Sequence, residues 1–376
     1  MSQKVYCGNG SIKELENILI NIGSQKFMLV CDNSYSFLPI KEYISHINVP
    51  FVVFNEFTSN PLYDDVVKGV DLFNGEHCDT IVAVGGGSSI DVAKCIKLYC
   101  KLDRSKNYLQ QEYVDTTVPL IAIPTTAGTG SESTRYAVIY YNGQKQSVTH
   151  GNIVPNYAIL ESSVLKTLPV YQKKCTMLDA LCQGIESWWS VNSTDESKEY
   201  SKMVIETIIE NYEAYIFDNN ETIAEKIMLA SNYAGRAINI TQTTAPHAMS
   251  YKITSTYGVP HGHAVAICLP HIWRYMVDNL DECIDDRGKD YLLAIFNDIA
   301  SALGKKSVVE AIDFWAEFLD SIGIYTPKNV SSEDYDILSK SVNITRLKNN
   351  PIELTEKNIY DLYIRILNKE VNDDET

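Results

Sequence analysis

No apolar run in the 376 residues approaches the length that spans a bilayer, and the opening MSQKVYCGNG lacks the charged-then-apolar order of a secretory signal. The sequence therefore points to a cytoplasmic protein with no membrane partner. Basic residues are also few: 32 Lys and Arg stand against 48 Asp and Glu, a formal net charge of −16. That balance excludes a surface built to hold nucleic acid, and any anionic small molecule would need a local basic pocket. Cys-x-x-Cys spacing is missing. The nine cysteines are scattered and odd in number, so neither a disulfide framework nor a thiolate zinc site is indicated, and they read as small buried hydrophobes. Internal repeats and low-complexity linkers are absent as well. The acidic end NKEVNDDET reads as solvated and frayed.

What the chain does have is apolar residues, 45% of the total, enough for one large or two ordinary domains. In the first 160 residues short runs of Val, Ile and Ala alternate with helical stretches: FMLVCD (27–32), FVVFNEF (51–57), TIVAVGGG (80–87), PLIAIPTT (119–126) and YAILES (157–162), with helices over 63–75 and 88–101 between them. Strands buried on both faces read as continuous apolar runs, so this pattern predicts a parallel sheet with crossover helices. Beyond residue 162 the apolar positions recur at helical spacing only. The expectation is an α/β domain over 1–161 and an all-α domain over 162–376, with the active site in the cleft between them.

Two turns at strand ends carry anion-binding chemistry. IVAVGGGSSIDVAK (81–94) sets Gly85, Gly86 and Gly87 between a buried strand and a helix that opens with Ser88, Ser89 and Asp91. Glycines let backbone N–H groups approach an anion, and the helix N-terminus adds its positive end, so the segment reads as a pyrophosphate cradle. It fits neither the G-x-G-x-x-G nor the Walker pattern, and a tight turn with a serine cap explains the same letters. The second turn, IPTTAGTGSEST (123–134), brings Thr125, Thr126 and Thr129 to what would be the same sheet edge, and two such loops suggest a dinucleotide. A smaller glycine turn, Gly8 and Gly10, sits near the start of the chain. Asp32 ends a strand with the chemistry to accept a ribose hydroxyl, or simply to form a turn.

Histidine is scarce, seven in all, yet His247, His261 and His263 fall within one stretch, APHAMSYKITSTYGVPHGHAVA. His247 and His261 flank a YG and VP bend that could turn both toward one point. Upstream, Asp179 and Gln183 are four apart in LDALCQGIES and would share a helical face. Two oxygen donors and two imidazoles suit a borderline divalent ion such as Fe(II) or Zn(II). A lone histidine is more often an ordinary polar residue than a ligand, so the reading rests on the upstream pair.

VGGGSSIDVAK, PTTAGTGSE, LDALCQGIES and PHAMSYKITSTYGVPHGHAVAICLPH, in this order and over nearly the whole chain, resemble the iron-dependent alcohol dehydrogenase family. The resemblance implies an N-terminal domain that binds NAD(P), a helical C-terminal domain and one divalent metal, Fe(II) first and Zn(II) second, held by an Asp and three His. Carried over, the ligands are Asp179, His247 and His261, with Gln183 at the first histidine position. Tyr251 stands where many members carry a further histidine, which leaves Tyr251 and His263 as candidates for proton transfer. Asn60 and Lys145 join the expected cofactor contacts. LCQGIESWWSVNST and GRAINITQTTAPHAMSY are most similar to one branch, the phosphonoacetaldehyde reductases, in which Gln at the 183 position looks usual. That implies an anionic phosphonate aldehyde as substrate, with Arg135 and Lys252 as its partners and Lys145 and Arg236 as further cations near the motifs. Asp32 would repel a 2′-phosphate and so favours NADH, and the family suggests a homo-oligomer. Three other readings stay open: a dehydrogenase of another small alcohol or polyol, a lyase like dehydroquinate synthase that uses NAD transiently, and a non-catalytic nucleotide-binding or filament-forming protein.

Overall fold

The computed structural model describes residues 3–368; the acidic end beyond Asn368 lies outside them. The apolar runs of the first 160 residues form strands β1 (Lys4–Cys7), β2 (Phe27–Cys31), β3 (Phe51–Phe54), β4 (Thr80–Gly85) and β5 (Leu120–Pro124); after a hairpin of β6 (Tyr136–Tyr141) and β7 (Gln144–Thr149) comes β8 (Tyr157–Leu160). Six of them make one sheet in the order β1-β8-β5-β4-β2-β3. Every pairing in it is parallel, with Val30 opposite Phe54 on one side and Ala83 on the other. Strands β2, β4 and β5 are buried along their whole length, which is why they carry apolar residues without alternation. The two-stranded hairpin turns at Asn142 and Gly143, both at positive φ, as the tightest hairpin turns require.

The helices are α1 (Glu14–Asn21), α2 (Lys41–Ser45), α3 (Tyr63–Gly75), α4 (Gly87–Tyr99), α5 (Val170–Trp189), α6 (Asp195–Phe217), α7 (Glu221–Thr241), α8 (Ala245–Tyr257), α9 (His261–Asp278), α10 (Lys289–Ala302), α11 (Val308–Ser321), α12 (Ser332–Ser341) and α13 (Glu356–Leu367). Among the described residues none is long and apolar enough to cross a membrane. Packing divides the chain into two compact units. One holds the residues through Pro169 together with Glu213–Gly235; the other holds Val170–Tyr212 and the residues from Arg236 on. Within the first unit, Gly130 and Gly235 meet so closely that a Cβ on Gly235 would fall 2.4 Å from the Gly130 carbonyl oxygen. Asn232 reinforces that contact by donating to Glu132 Oε1 (3.0 Å) and Ser133 Oγ (2.6 Å).

From Ser89 to Cys100 only Asp91 escapes full burial, so α4 is a core helix rather than an amphipathic one. Its Lys94 is fully buried and donates to Ser131 Oγ (3.0 Å), Thr134 Oγ1 (3.0 Å) and the Tyr136 carbonyl (2.7 Å), with the Asp91 carboxylate 4.0 Å away. Burial lowers the ammonium to about 8 against the pull of Asp91 and Glu132. Asp91 itself accepts from Ser131 Oγ (2.7 Å) and the Val138 amide (2.9 Å). The pair thus ties the end of the loop after β5 and strand β6 to α4.

In the second unit α5 and α9 form the core. Every residue of α5 from Met177 to Trp189 is buried, and so is α9 from Gly262 to Leu269. Pro270 lies inside α9 and has no N–H for the Ala266 carbonyl. Trp315 of α11 fills that place, its indole N–H donating to Ala266 O at 2.9 Å, so the backbone acceptor freed by the proline is satisfied from a neighbouring helix. Trp315→Phe should therefore cost about 1–3 kcal/mol in urea denaturation, the price of an orphaned buried acceptor. In a Pro270→Ala background, where the residue 270 amide can reach that carbonyl again, the loss should shrink; equal losses in both backgrounds would refute this account.

Candidate metal centre and dinucleotide cradle

Helix α5 presents Asp179, Gln183 and Glu186 at spacings of four and three residues, one above another on a single face. Helix α8 carries His247 in its first turn, and α9 begins at His261. Donor atoms of Asp179, His247 and His261 all lie within 4.8 Å of one another. The Nε2 atoms of His247 and His261 are 3.2 and 4.0 Å from Asp179 Oδ1. The other nitrogen of each ring is held from behind: His247 Nδ1 meets a Glu186 carboxylate oxygen, and His261 Nδ1 lies 3.3 Å from Ser250 Oγ. Both histidines therefore turn Nε2 toward the same carboxylate.

What lets α9 come so near is Gly262. A Cβ there would fall 1.9 Å from the Cys175 carbonyl oxygen and 2.9 Å from the Asp179 Cβ and amide nitrogen. Burial alone would raise the Asp179 carboxyl, yet the imidazoles of His247 and His261 and a hydrogen bond from Gln183 hold it below the usual carboxylate range. Burial alone would lower His247, and the carboxylates of Glu186 and Asp179 on either side reverse this and raise it to about 9. A cluster with two carboxylates around two imidazoles is a donor set that suits a divalent cation, which would take the imidazoles in their neutral form, each oriented through its far nitrogen. Gln183 is buried and its side-chain amide hydrogen-bonds to Asp179.

Of the proton-transfer candidates, Tyr251 lies flat on His261, ring centroids 5.3 Å apart and planes within 4°. His263 faces another way. Its Nε2–H donates to the Tyr325 carbonyl at 2.8 Å, so Nδ1 accepts from the Tyr171 hydroxyl, also at 2.8 Å. Burial holds the ring below its ordinary value, in the neutral form. Both nitrogens of His263 are engaged in hydrogen bonds. Lys252 is half-buried on α8 and, among the described residues, its ammonium forms no ion pair or hydrogen bond. Arg236 lies over the Tyr200 ring at 5.9 Å.

The first unit gathers the expected cofactor residues at the carboxyl ends of β2, β4 and β5. Gly85 has φ +152°, and a Cβ on it would meet Ser89 Oγ at 2.3 Å. Gly86 is the N-cap of α4 and no side chain caps that helix, so its first N–H groups are offered to a ligand. A Cβ on Gly87 would press on Thr129 at 3.1 Å, and one on Gly86 would lie 3.7 Å from Thr126. The Thr125 amide donates to Gly85 O at 3.0 Å, locking the two turns together. Ser88 Oγ reaches the Ser59 carbonyl, and Asn60 follows on that same exposed loop. Asp32 accepts from the Ser34 amide (2.8 Å) and from Ser89 Oγ (3.2 Å), standing over Gly85. The uncapped helix end and the glycine cradle, which a Cβ would fill, fit a pyrophosphate. Asp91 is not among the exposed groups: both its oxygens serve the internal network with Ser131 and Val138, a structural role the sequence did not foretell. Lys145 is half-buried on β7 and its charge reaches Asp91. Arg135 bonds the Tyr136 hydroxyl at 3.2 Å and lies over that ring.

The sequence reading overlooked Glu186, one carboxylate among many acidic residues. Its position seven residues after Asp179, on the same helical face, was the available signal.

Comparison with known proteins identifies the family. The family description "Iron-containing alcohol dehydrogenase" matches residues 2–162, and "Fe-containing alcohol dehydrogenase family, C-terminal" matches residues 174–367. A phosphonoacetaldehyde reductase of Streptomyces viridochromogenes is 29% identical over 325 residues, 82% of this chain and 81% of that protein. An NAD-dependent methanol dehydrogenase of Bacillus methanolicus is 27% identical over 89% of this chain and 90% of its own. Among solved structures, a sulfoacetaldehyde reductase from Bifidobacterium kashiwanohense in complex with NAD+ superposes with a TM-score of 0.88 at 25% identity, covering 98% of both chains.

Gly262→Ala should force α9 off α5, lowering stability by about 1–3 kcal/mol, as overpacking does. Purified variant should carry less divalent metal per chain than the wild type by elemental analysis; full metal content at reduced stability would show that the approach does not set the ligand spacing.

Proposed function

The chain belongs to the iron-containing alcohol dehydrogenase family, and from that premise we propose that it reduces an anionic short-chain aldehyde, phosphonoacetaldehyde, to 2-hydroxyethylphosphonate with NADH. The enzyme class is that of the NAD(P)- and metal-dependent alcohol dehydrogenases and aldehyde reductases. In this reading Asp179, Gln183, His247 and His261 hold one divalent cation, iron first and zinc second. Gly85, Gly86, Gly87 and Ser88 with the first amides of α4 hold the pyrophosphate, while Thr125, Thr126 and Thr129 line the way to the nicotinamide ribose. Asn60, Ser89 and Lys145 complete the cofactor contacts, and Asp32 receives the adenosine ribose, which favours NADH over NADPH. When bound, the cation supplies Lewis acidity toward the carbonyl oxygen and the reduced nicotinamide supplies the hydride. Tyr251, stacked on a ligand ring, donates the proton that completes the alcohol. All nine cysteines are free, which supports a reducing, cytoplasmic setting for a homo-oligomer.

The substrate class rests on Lys252. It follows Tyr251 directly, is half-buried and, among the described residues, has no ion pair or hydrogen bond to its ammonium, in a chain of net charge −16, the condition expected of a cation held for an incoming anion. Arg135 is the second candidate partner. Two relatives, by their names, reduce acetaldehydes that carry a phosphonate or a sulfonate, so a sulfonate is the nearest competing substrate.

With NADH and metal-loaded enzyme, kcat/KM should rank phosphonoacetaldehyde above sulfoacetaldehyde and both above acetaldehyde and propanal. Lys252→Met should raise KM for the phosphonate by about 10- to 100-fold, the value of one charge-assisted hydrogen bond, and leave the neutral aldehydes unchanged. Equal kcat/KM for charged and neutral aldehydes would sink the anionic-substrate reading.

A further inference from the structure

We propose that Glu186 is a positioning residue for the metal centre: it sets the ring of His247 so that Nε2 is the coordinating atom, and it does so from the N-terminus of α8. The proposal rests on the metal-dependent reading above. Glu186 is wholly buried, and an isolated buried carboxylate is costly unless every lone pair finds a partner. Its partners divide by oxygen. Oε1 meets His247 Nδ1, while Oε2 accepts from the Thr244 backbone amide at 2.7 Å and from Thr244 Oγ1 at 2.9 Å. Thr244 is the N-cap of α8, whose own side chain caps no amide of that helix. Its hydroxyl instead receives the Trp189 indole N–H at 2.8 Å and passes its own proton to Glu186. A charge drawn from α5 therefore stands at the positive end of α8 and satisfies the entry to that helix.

The consequence concerns tautomer and ring angle. A carboxylate fixed by two donors at Thr244 can only accept, so His247 must present Nδ1–H to it, which leaves Nε2 as the nitrogen that would give up its proton to a cation. Without a cation that nitrogen donates to Asp179 Oδ1 at 3.2 Å. His247 lies three residues after Thr244 in the first turn of the same helix, so one side chain fixes both the helix start and the ring it carries. Ser250 plays the lesser counterpart for His261, since its hydroxyl donates to the His247 carbonyl at 2.8 Å and can accept from His261 Nδ1–H. Carboxylate partners of ligating imidazoles raise ligand basicity as well as orienting the ring, and their loss typically weakens metal binding about 10- to 100-fold.

The test uses the full-length protein, freed of metal by chelation and titrated with Co(II) and Zn(II) by calorimetry and chelator competition, with the Co(II) visible spectrum recorded. Glu186→Gln keeps the size of the side chain and removes its charge. It should weaken both metals about 10- to 100-fold and alter the Co(II) bands. Thr244→Val loses the hydroxyl links to Glu186 and Trp189 but spares the backbone amide; it should lower the melting temperature yet hold metal affinity within about threefold. Should Glu186→Gln not fold, the wild type still decides: in the Zn(II)-loaded protein the His247 Nδ1–H should appear as a slowly exchanging, downfield imidazole proton, assigned by its loss in His247→Asn. Wild-type affinity and spectrum in Glu186→Gln, equal weakening in Thr244→Val, or no such proton would each overturn the proposal. Failure of the wild type to bind any divalent ion would instead defeat the metal-dependent reading on which it stands.

Discussion

The approach of α9 to α5 over Gly262 is the constraint on which the second unit turns. At that crossing the α9 backbone lies against the Cys175 carbonyl with no room for a methyl group. Residues on either side inherit the consequence. His261, one step before the glycine, is brought beside Asp179; His263, one step after, is pressed between Tyr171 and Tyr325. The contact is affordable because α5 is buried on all sides from Met177 onward, so apolar burial around the crossing offsets the ordering of a polar cluster inside it. The proline of α9 belongs to the same solution: its missing N–H frees a carbonyl that α11 answers through Trp315, which binds a third helix to the pair.

The parallel sheet was legible because its central strands are buried on both faces and so are written in uninterrupted Val, Ile and Ala. The five strands expected over 27–32, 51–57, 80–87, 119–126 and 157–162 correspond to β2, β3, β4, β5 and β8, shorter by a residue or more at their ends. Strand β1 went unread because KVYC is an edge strand of four residues with only partial burial, and its apolar signal is too short to stand out. The hairpin β6–β7 went unread although Asn142-Gly143 announces its turn, since the flanking YAVIYY and QKQSVT mix polar and apolar residues as a half-exposed pair does. At the site, Asp179 and Gln183 stood out as polar residues four apart on one helical face, and His247 and His261 as a pair flanking a YG and VP bend. Glu186 did not, because burial alone separates it from the other acidic side chains, and burial is a tertiary fact.

Within the first unit the same letters divide between two tasks. GGGSS forms the turn and uncapped helix start at the sheet edge, while the DVAK that follows turns inward: Asp91 and Lys94 bond to Ser131, Thr134, Tyr136 and Val138. A buried ion pair of this kind adds little net stability over an apolar core. Its effect is geometric. It fixes where β6 and the end of the second hydroxyl-rich loop sit relative to α4, so the threonines of that loop keep their places against Gly86 and Gly87.

The three clustered histidines show that residue type and proximity do not settle a role; the partner of the second nitrogen does. An imidazole in the neutral form has one donor and one acceptor. For His247 the Nδ1 proton is claimed by a carboxylate and for His261 Nδ1 meets a serine oxygen, so in each ring Nε2 is the nitrogen that faces Asp179. For His263 the donor goes to a carbonyl and the acceptor to a tyrosine hydroxyl, so the ring has no lone pair left to give. Ligation is therefore decided behind each ring as much as in front of it. Glu186 and Ser250, behind the two rings, hold Nε2 of each toward Asp179.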